Sequence, residues 1–224
     1  MADKRSRREL ANEEVVVAAT ELAKLRGMQF SMRELAASLN TWPNALYKFY
    51  PTKQALQAVI INRLMGEALT VDVLADLEDE SKPWQHRMRV ISGVVFDVAA
   101  QVAGLGRLLT HESMFASPPL LTLVYSIVEQ LIRLGLSRKR AGELVQIVAF
   151  YLLSMGELEA AQRRGGTTAG EFEPGKAVDA TSLADDAITA LLSYDKRERT
   201  LAGVDLMIAA AEAEIAACAA AESL

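Results

Sequence analysis

The stretch SMRELAASLNTWPNALY, residues 31–47, decides the fold of the N-terminal part of the chain. Ser31, followed three residues later by Glu34, forms a capping-box pattern that predicts the start of a helix. We expect this helix to be short and to end near Leu39, because turn-forming residues follow at once.

The turn itself is predicted at Asn40 and Thr41, because Asn tolerates the left-handed backbone conformation that a tight turn often requires. Pro43 suits the first turn of another helix, which we expect to run to about Phe49. A long helix then begins with Lys53. The pattern therefore predicts two short helices joined by a tight turn.

Upstream, residues 10–26 carry a helical stripe of apolar side chains, and Gly27 stands in the position of a C-cap. Three short helices in the first fifty residues match helix-turn-helix geometry, in which the third helix enters the major groove of DNA. The spacing of Leu35, Leu39 and Leu46 packs the last two helices together, and the small Ala36 permits their close approach.

Seven residues are then left exposed near the start of the third helix, where side chains can reach base edges and phosphates. They are Thr41, Trp42, Pro43, Asn44, Ala45, Tyr47 and Lys48. The alternative is an ordinary three-helix scaffold in which Trp42 and Tyr47 belong to the core.

The pattern Ser31-Met-Arg-Glu-Leu-Ala, then Pro43-Asn-Ala-Leu-Tyr, then Lys53-x-x-Leu56 resembles the DNA-binding domain of the tetracycline-repressor (TetR) family. The resemblance covers residues 10–60, about a quarter of the chain. It implies an all-α protein with an N-terminal three-helix helix-turn-helix domain at residues 1–56, of which 1–9 form a basic arm. A larger helical-bundle domain for ligand binding and dimerisation would occupy residues 57–224.

The resemblance also implies roles for individual DNA-binding residues. Phosphate contacts fall to Tyr47 and Lys53, and Asn40 and Trp42 depart from the family pattern, which leaves the operator sequence open. Contacts to bases, or close approach to them, fall to Arg33, Pro43, Asn44, Ala45 and Lys48. The chemistry agrees, because Arg can pair bidentately with guanine and Asn with adenine.

The net charge of −5 is unevenly distributed. Residues 1–60 hold nine Lys or Arg and six Asp or Glu, whereas the rest of the chain holds fifteen and twenty-three. The basic excess thus lies where DNA contact is expected. The arm with Lys4, Arg5, Arg7 and Arg8 is interpreted either as a phosphate or minor-groove contact or as a solubilising tail.

Composition favours helices and an intracellular location. Ala and Leu dominate, and the single Cys218 excludes an internal disulfide framework and fits a reducing cytosol. The N-terminus lacks the pattern of a signal peptide, and the apolar run at residues 145–155 is shorter than the roughly 20 residues of a membrane span. We therefore expect a cytoplasmic protein without membrane contact.

Downstream of the first domain, helices are predicted from Pro83 towards Ala103, from Ser117 to Gly135, over 138–164, from Thr181 to Tyr194, and from Thr200 into the Ala-rich tail. Residues 163–176 are expected to form a flexible loop. Residues 145–155 are apolar on nearly all sides, which is typical of a helix at the centre of a bundle.

By resemblance, the helices at 137–164 and 200–218 form a homodimer interface, which would place two DNA-reading heads on a near-palindromic operator. The alternative is that these faces pack within one chain. A small-molecule effector of unknown identity is expected between the bundle helices. Aromatic and Met side chains at helical spacing are more often plain core than ligand contacts. The candidate lining residues are Trp84, Phe96, His111, Met114, Phe115, Tyr125, Tyr151 and Met155.

Two other classes of function compete with a ligand-responsive regulator. An enzyme is disfavoured, because the chain has no Gly-rich phosphate loop, CxxC, HExxH or GxSxG motif. No cofactor or metal site is predicted, and His111 alone makes no metal site. An all-helical adaptor that binds a protein partner without DNA remains the other alternative, and steeply salt-dependent DNA binding would separate it from a regulator.

Overall fold

A computed structural model describes residues 2–79, 81–109, 118–164 and 195–222, which form ten α-helices and no strand in those ranges. The predicted all-α fold class is confirmed. The N-terminal helices are α1 (Ala2–Arg26), α2 (Met32–Ser38), α3 (Pro43–Tyr47) and α4 (Lys53–Ala68). The remaining helices are α5 (Val71–Glu78), α6 (Trp84–Gln101), α7 (Leu105–Leu108), α8 (Pro118–Arg133), α9 (Arg138–Arg163) and α10 (Lys196–Glu222).

The local signals in the N-terminal domain have the predicted effects. The backbone N–H of Ser31 donates to the Glu34 carboxylate at 2.7 Å, and the Glu34 N–H donates to the Ser31 hydroxyl at 3.2 Å. Asn40 takes the left-handed conformation with φ of 50°, and Gly27 does so with φ of 75°. Pro43 occupies the first turn of α3. Residues that tolerate a left-handed backbone, Gly27 and Asn40, therefore lie at the turns that follow α1 and α2.

Two boundaries differ from the sequence-based expectation. Helix α1 begins at Ala2 rather than near residue 10, so residues 2–9 of the predicted basic arm are part of the helix. The chain also breaks after α4 and starts α5, which was not predicted. The break contains no Gly or Pro; instead the Thr70 side chain accepts a hydrogen bond from the Val73 N–H and caps the new helix.

Helix α4 belongs to both parts of the molecule. Leu56 and Ile60 are buried near the N-terminal helices, and Met65, further along, lines a cavity in the helical body. The proposed boundary between residues 56 and 57 therefore falls inside one continuous helix. At about 1.5 Å per residue, α4 places Lys53 and Met65 roughly 18 Å apart along one helix.

The body is built around α6 and α9, which pack closely along their length. Gly156 of α9 lies directly against Ala99 of α6, a contact too close for a side chain on the glycine. Helices α8 and α10 flank this pair. By length and composition α9 could cross a membrane, yet here one of its faces lies inside the bundle. The predicted helix at residues 181–194 and the predicted loop from residue 165 onward lie outside the described residues.

Candidate nucleic-acid interface

Helices α2 and α3 form a helix-turn-helix unit with one buried and one exposed side. Leu35, Ala36 and Leu46 are buried, and Leu39 is half-buried against the same core. The Thr41 N–H donates to the Ala36 carbonyl at 2.9 Å and closes the turn. The predicted packing of the two helices is thus present, and it fixes which side of α3 faces outward.

The outward side of α3 presents the residues predicted for DNA contact. Trp42 is 83% exposed and Tyr47 is 46% exposed, so neither belongs to the core of a three-helix scaffold. Thr41, Asn44 and Lys48 are exposed. Pro43 and Ala45 are half-buried at the base of this surface, and Arg33 is exposed on α2. Two aromatic rings beside polar and basic groups suit contact with sugars, bases and phosphates.

Lys53, at the start of α4, differs from the other basic residues of this surface. Its ammonium nitrogen lies 5.6 Å from the centre of the Phe30 ring, a cation–π distance. Burial lowers the pKa of Lys53, and the nearby Glu34 carboxylate partly opposes that shift. The side chain is therefore held against the protein at the N-terminus of α4, where partial positive charge from the helix also favours a phosphate.

Tyr50 ties the end of this unit back to α1. Its ring is buried and its hydroxyl donates to the Asn12 side-chain carbonyl at 2.8 Å. Burial raises the pKa of Tyr50, so the hydroxyl stays protonated and keeps donating. This contact, together with the Leu46 core, holds α3 at a fixed position relative to α1.

The helical body contains an apolar cavity of about 60 Å³. It lies among α4, α6, α8 and α9, beside the end of α7. Its described lining consists of Met65, Met88, Ile91, Ser92, Val95, Val98, Leu109, Val124, Ile127, Val145, Val148, Ala149, Leu152 and Leu153. Ser92 is the single polar residue in this set.

None of the described ligand-site candidates from the sequence lines this cavity. Trp84 and Phe96 are buried core residues, Tyr125 is 62% exposed on α8, and Tyr151 and Met155 are half-buried. The candidates chosen from the sequence are mostly aromatic, whereas the helices enclose the cavity with aliphatic and Met side chains. The sequence signal for the cavity is a single polar residue, Ser92, within the apolar segment 90–95. The candidates His111, Met114 and Phe115 lie outside the described residues.

A junction at the end of α1 joins the N-terminal domain to the body. The Met28 N–H donates to the Ala103 carbonyl at 2.9 Å, and the buried Gln57 amide donates to the Met28 carbonyl at 3.1 Å. From α9, the Glu157 carboxylate accepts from the Gly104 N–H at 2.7 Å and from the Gly106 N–H at 3.2 Å. The α6–α7 turn is thus bonded to both parts of the molecule.

Helices α9 and α10 lie antiparallel and side by side. Arg140, early in α9, pairs with Glu214, late in α10, at 2.7 Å, and Lys196 at the start of α10 pairs with Glu159 at 2.8 Å. The Glu214 carboxylate raises the pKa of Arg140, and the guanidinium lowers the pKa of Glu214.

One side of this helix pair is apolar and exposed. Ile147, Phe150 and Leu158 project outward from α9, and Leu206 of α10 is 75% exposed. As expected for a central helix, α9 packs against α6, α7, α8 and α10, but these helices leave one of its sides uncovered in the single chain.

Within the described residues, no group of three or more His, Cys, Asp or Glu is placed to hold a metal ion.

An all-helical chain whose N-terminal helix-turn-helix presents aromatic, polar and basic side chains falls in the class of helix-turn-helix DNA-binding proteins. Comparison with known proteins supports the resemblance found in the sequence. Residues 15–59 match the model of the bacterial regulatory proteins of the tetR family. The predicted resemblance to this family is confirmed over these N-terminal helices.

The nucleoid occlusion factor SlmA of Pasteurella multocida (strain Pm70) is 29% identical to the chain over 130 residues, or 57% of the chain. The chain spans 64% of the length of this relative.

Solved structures extend the likeness to the whole fold. The Streptomyces coelicolor TetR family protein ActR, in complex with actinorhodin, aligns with a TM-score of 0.67 at 22% identity, covering 91% of this chain and 97% of ActR. BioQ with its double-stranded DNA operator aligns with a TM-score of 0.56 at 21% identity, covering 69% of this chain and 90% of BioQ. At these identities the alignments establish the fold.

Proposed function

We propose that the chain is a dimeric, ligand-responsive transcriptional regulator of the cytoplasm that binds a near-palindromic DNA operator, and that it acts as a repressor. The observation that carries this is the exposed side of α3, where Trp42, Asn44 and Tyr47 project while Leu46 holds the helix against the core. Exposing two aromatic rings on a short helix is unfavourable in water unless a partner covers them. BioQ, which has this fold, is known in complex with its DNA operator.

In this function Asn44 reads a base edge, with adenine as the matching base, and Arg33 reads guanine. Tyr47 and Lys53 contact phosphates and set the position of α3 in the groove. Thr41, Pro43, Ala45 and Lys48 complete the surface near the bases, and Trp42 covers either a thymine methyl group or the sugar-phosphate backbone.

The apolar side of α9 and α10 supports a homodimer. A helix that is apolar all round is ordinarily buried all round. In one chain, Ile147 and Phe150 of α9 and Leu206 of α10 remain exposed. A second copy of the same surface would cover all of them by two-fold symmetry, and it would fix the spacing between the two reading heads.

The response to a ligand runs through α4. A molecule in the cavity touches Met65 of α4 directly, and the same helix carries Lys53 at the DNA surface. A ligand that prefers one position of α4 therefore shifts the distance between the two DNA-reading heads. Ligand binding then lowers the affinity for DNA, and DNA binding lowers the affinity for the ligand by the same factor. ActR, which has the same fold, is known in complex with the small molecule actinorhodin.

The deciding experiment is selection of bound sequences from a random duplex pool, followed by measurement of affinity across salt concentrations. Enrichment of a near-palindrome whose affinity falls steeply with salt is the expected result. An all-helical adaptor that binds a protein partner would enrich no sequence and show no salt-dependent DNA binding. That outcome would overturn the proposed function.

A further inference from the structure

Four polar side chains among the described residues are buried: Thr20, Gln57, Ser92 and Thr200. The Thr20 hydroxyl donates to the Val16 carbonyl and the Thr200 hydroxyl to the Lys196 carbonyl, each at 2.8 Å. Gln57 donates to the Met28 carbonyl. Ser92 differs from these three, because it is 1% exposed and its hydroxyl has no hydrogen-bond partner within the described part of the chain.

Ser92 also lies in the wall of the cavity. It is the one polar residue in the described lining of the cavity, and every other lining residue is Met, Ala, Leu, Ile or Val. Buried polar groups in proteins are nearly always hydrogen-bonded, since leaving one unpaired is costly. The Thr20 and Thr200 hydroxyls donate to the carbonyl four residues earlier in their own helices, whereas the Ser92 hydroxyl makes no such bond.

The chemistry of the cavity limits what that partner is. A charged ligand would lose its hydration and find no opposite charge in the described lining. A buried water molecule ordinarily makes about three hydrogen bonds, and one polar side chain provides too few. A hydroxyl can both donate and accept, so an alcohol oxygen and a carbonyl oxygen both suit Ser92.

The volume of the cavity also limits the size of the ligand. Its volume of about 60 Å³ is below that of typical drug-sized ligand sites, which measure roughly 300–1,000 Å³. Met65 and Met88 stand on its wall, and their unbranched side chains can move aside for a small guest. We propose, on the basis of the proposed ligand-responsive function, that the cavity binds a small, neutral, largely hydrocarbon molecule whose single oxygen is recognised by Ser92.

Three probes of the same shape test this assignment: cyclopentanol, methylcyclopentane and cyclopentylammonium. They place a hydroxyl, a methyl or a charged ammonium group on the same ring. Binding to the full-length protein, without DNA, is measured by calorimetry and by ligand-observed NMR. Cyclopentanol should bind, because the Ser92 hydroxyl replaces the water that the alcohol oxygen loses, and the ammonium should not bind, because its charge finds no partner in the described lining.

Variants separate recognition by Ser92 from general packing. Ser92→Ala should reduce the affinity for cyclopentanol about tenfold, because the alcohol then loses its partner, and should not weaken the binding of methylcyclopentane. Ser92→Val, which fills space, should weaken both. The matched control is Ser126→Ala on α8, because that exposed hydroxyl donates to the Leu123 carbonyl and lies outside the cavity lining. Circular dichroism confirms that each variant is folded.

The assignment is overturned if the folded parent does not bind cyclopentanol, if it binds the ammonium, or if Ser92→Ala weakens the binding of both neutral probes equally or of neither. Its failure is distinguishable from failure of the proposed function. A selected operator together with no probe binding would leave a regulator without this site. Ser92-dependent binding together with no selected DNA would leave the site in a protein of another function.

Discussion

Helices α3 and α9 place their hydrophobic residues in opposite ways. In α3 the aliphatic Leu46 is buried, and the exposed large side chain is Tyr47, with the still more exposed Trp42 just before it. In α9 aliphatic residues occupy both the inner and the outer side, including the exposed Ile147. Exposed aromatic rings beside polar groups suit a polar, charged partner such as DNA, whereas the exposed apolar residues Ile147, Phe150 and Leu158 of α9 suit a second copy of the same surface.

The largest expected effect comes from breaking the α9 surface. Phe150→Glu should convert the dimer to a monomer, because the two-fold axis brings the introduced charges of both copies into one apolar interface. Operator affinity should then fall roughly 100- to 10,000-fold, since each head binds alone. Sedimentation equilibrium and fluorescence anisotropy measure the two quantities. Tyr125→Glu, which introduces the same charge at an exposed aromatic position on α8, is the control, and a dimeric Phe150→Glu would refute the assigned interface.

Removing phosphate contacts from the α3 surface should have the next largest effect. Tyr47→Ala with Lys53→Ala should weaken binding to every DNA sequence about equally, by roughly 1.5–3 kcal/mol for each charge-assisted bond. The slope of log affinity against log salt should also become shallower, because without Lys53 the protein releases fewer counterions from the DNA. Lys139→Ala, on the exposed start of α9, should change neither quantity. A loss confined to the operator would contradict a phosphate role.

Asn44→Ala tests whether the side chain of Asn44 contacts a base rather than a phosphate. Its side chain is exposed and is expected to read one base pair, so discrimination should be lost at one operator position while non-specific affinity is kept. The expected loss is about 1–3 kcal/mol against the matched base, measured by competition with single-base operator variants. Equal loss on all sequences would move Asn44 to the phosphate-contacting group.

The junction between the two regions can be weakened through Glu157. Replacing it with Ala leaves the Gly104 and Gly106 amides without their carboxylate acceptor, and stability should fall by about 1–3 kcal/mol. Urea unfolding measures the change. The surface pair Glu129–Arg133 provides the control, because Glu129→Ala removes an exposed ion pair that contributes little. Equal stability of the two variants would show that the carboxylate does not hold the α6–α7 turn.

The smallest effect is a pH dependence in the capping box. The backbone N–H of Ser31, and then its hydroxyl, lower the pKa of Glu34 below its ordinary value of 4.5. The stabilisation is therefore present above that ordinary value and is lost as pH falls through the folded-state pKa. Glu34→Gln should be less stable than the parent at pH 7, and the difference should shrink in acid. A difference that stays constant with pH would exclude the carboxylate charge as its source.

The helix-turn-helix unit and most of the side chains exposed on its outer side could be predicted from the sequence alone. The signals there are local: the Ser31–Glu34 capping box, the left-handed Asn40 and Pro43 in the first helical turn act over three or four residues. Once these elements form, the burial of Leu46 decides which side chains point outward.

Only the tertiary structure decided the interior and the outer surface of the helical body. The sequence of α9 is apolar on nearly every side, so it does not reveal which side α6 and α8 cover. Likewise, nothing near Ser92 in the chain predicts that it lines a cavity together with residues as far along the chain as Leu153. A cavity is the space left between helices, and its position depends on how all of them pack.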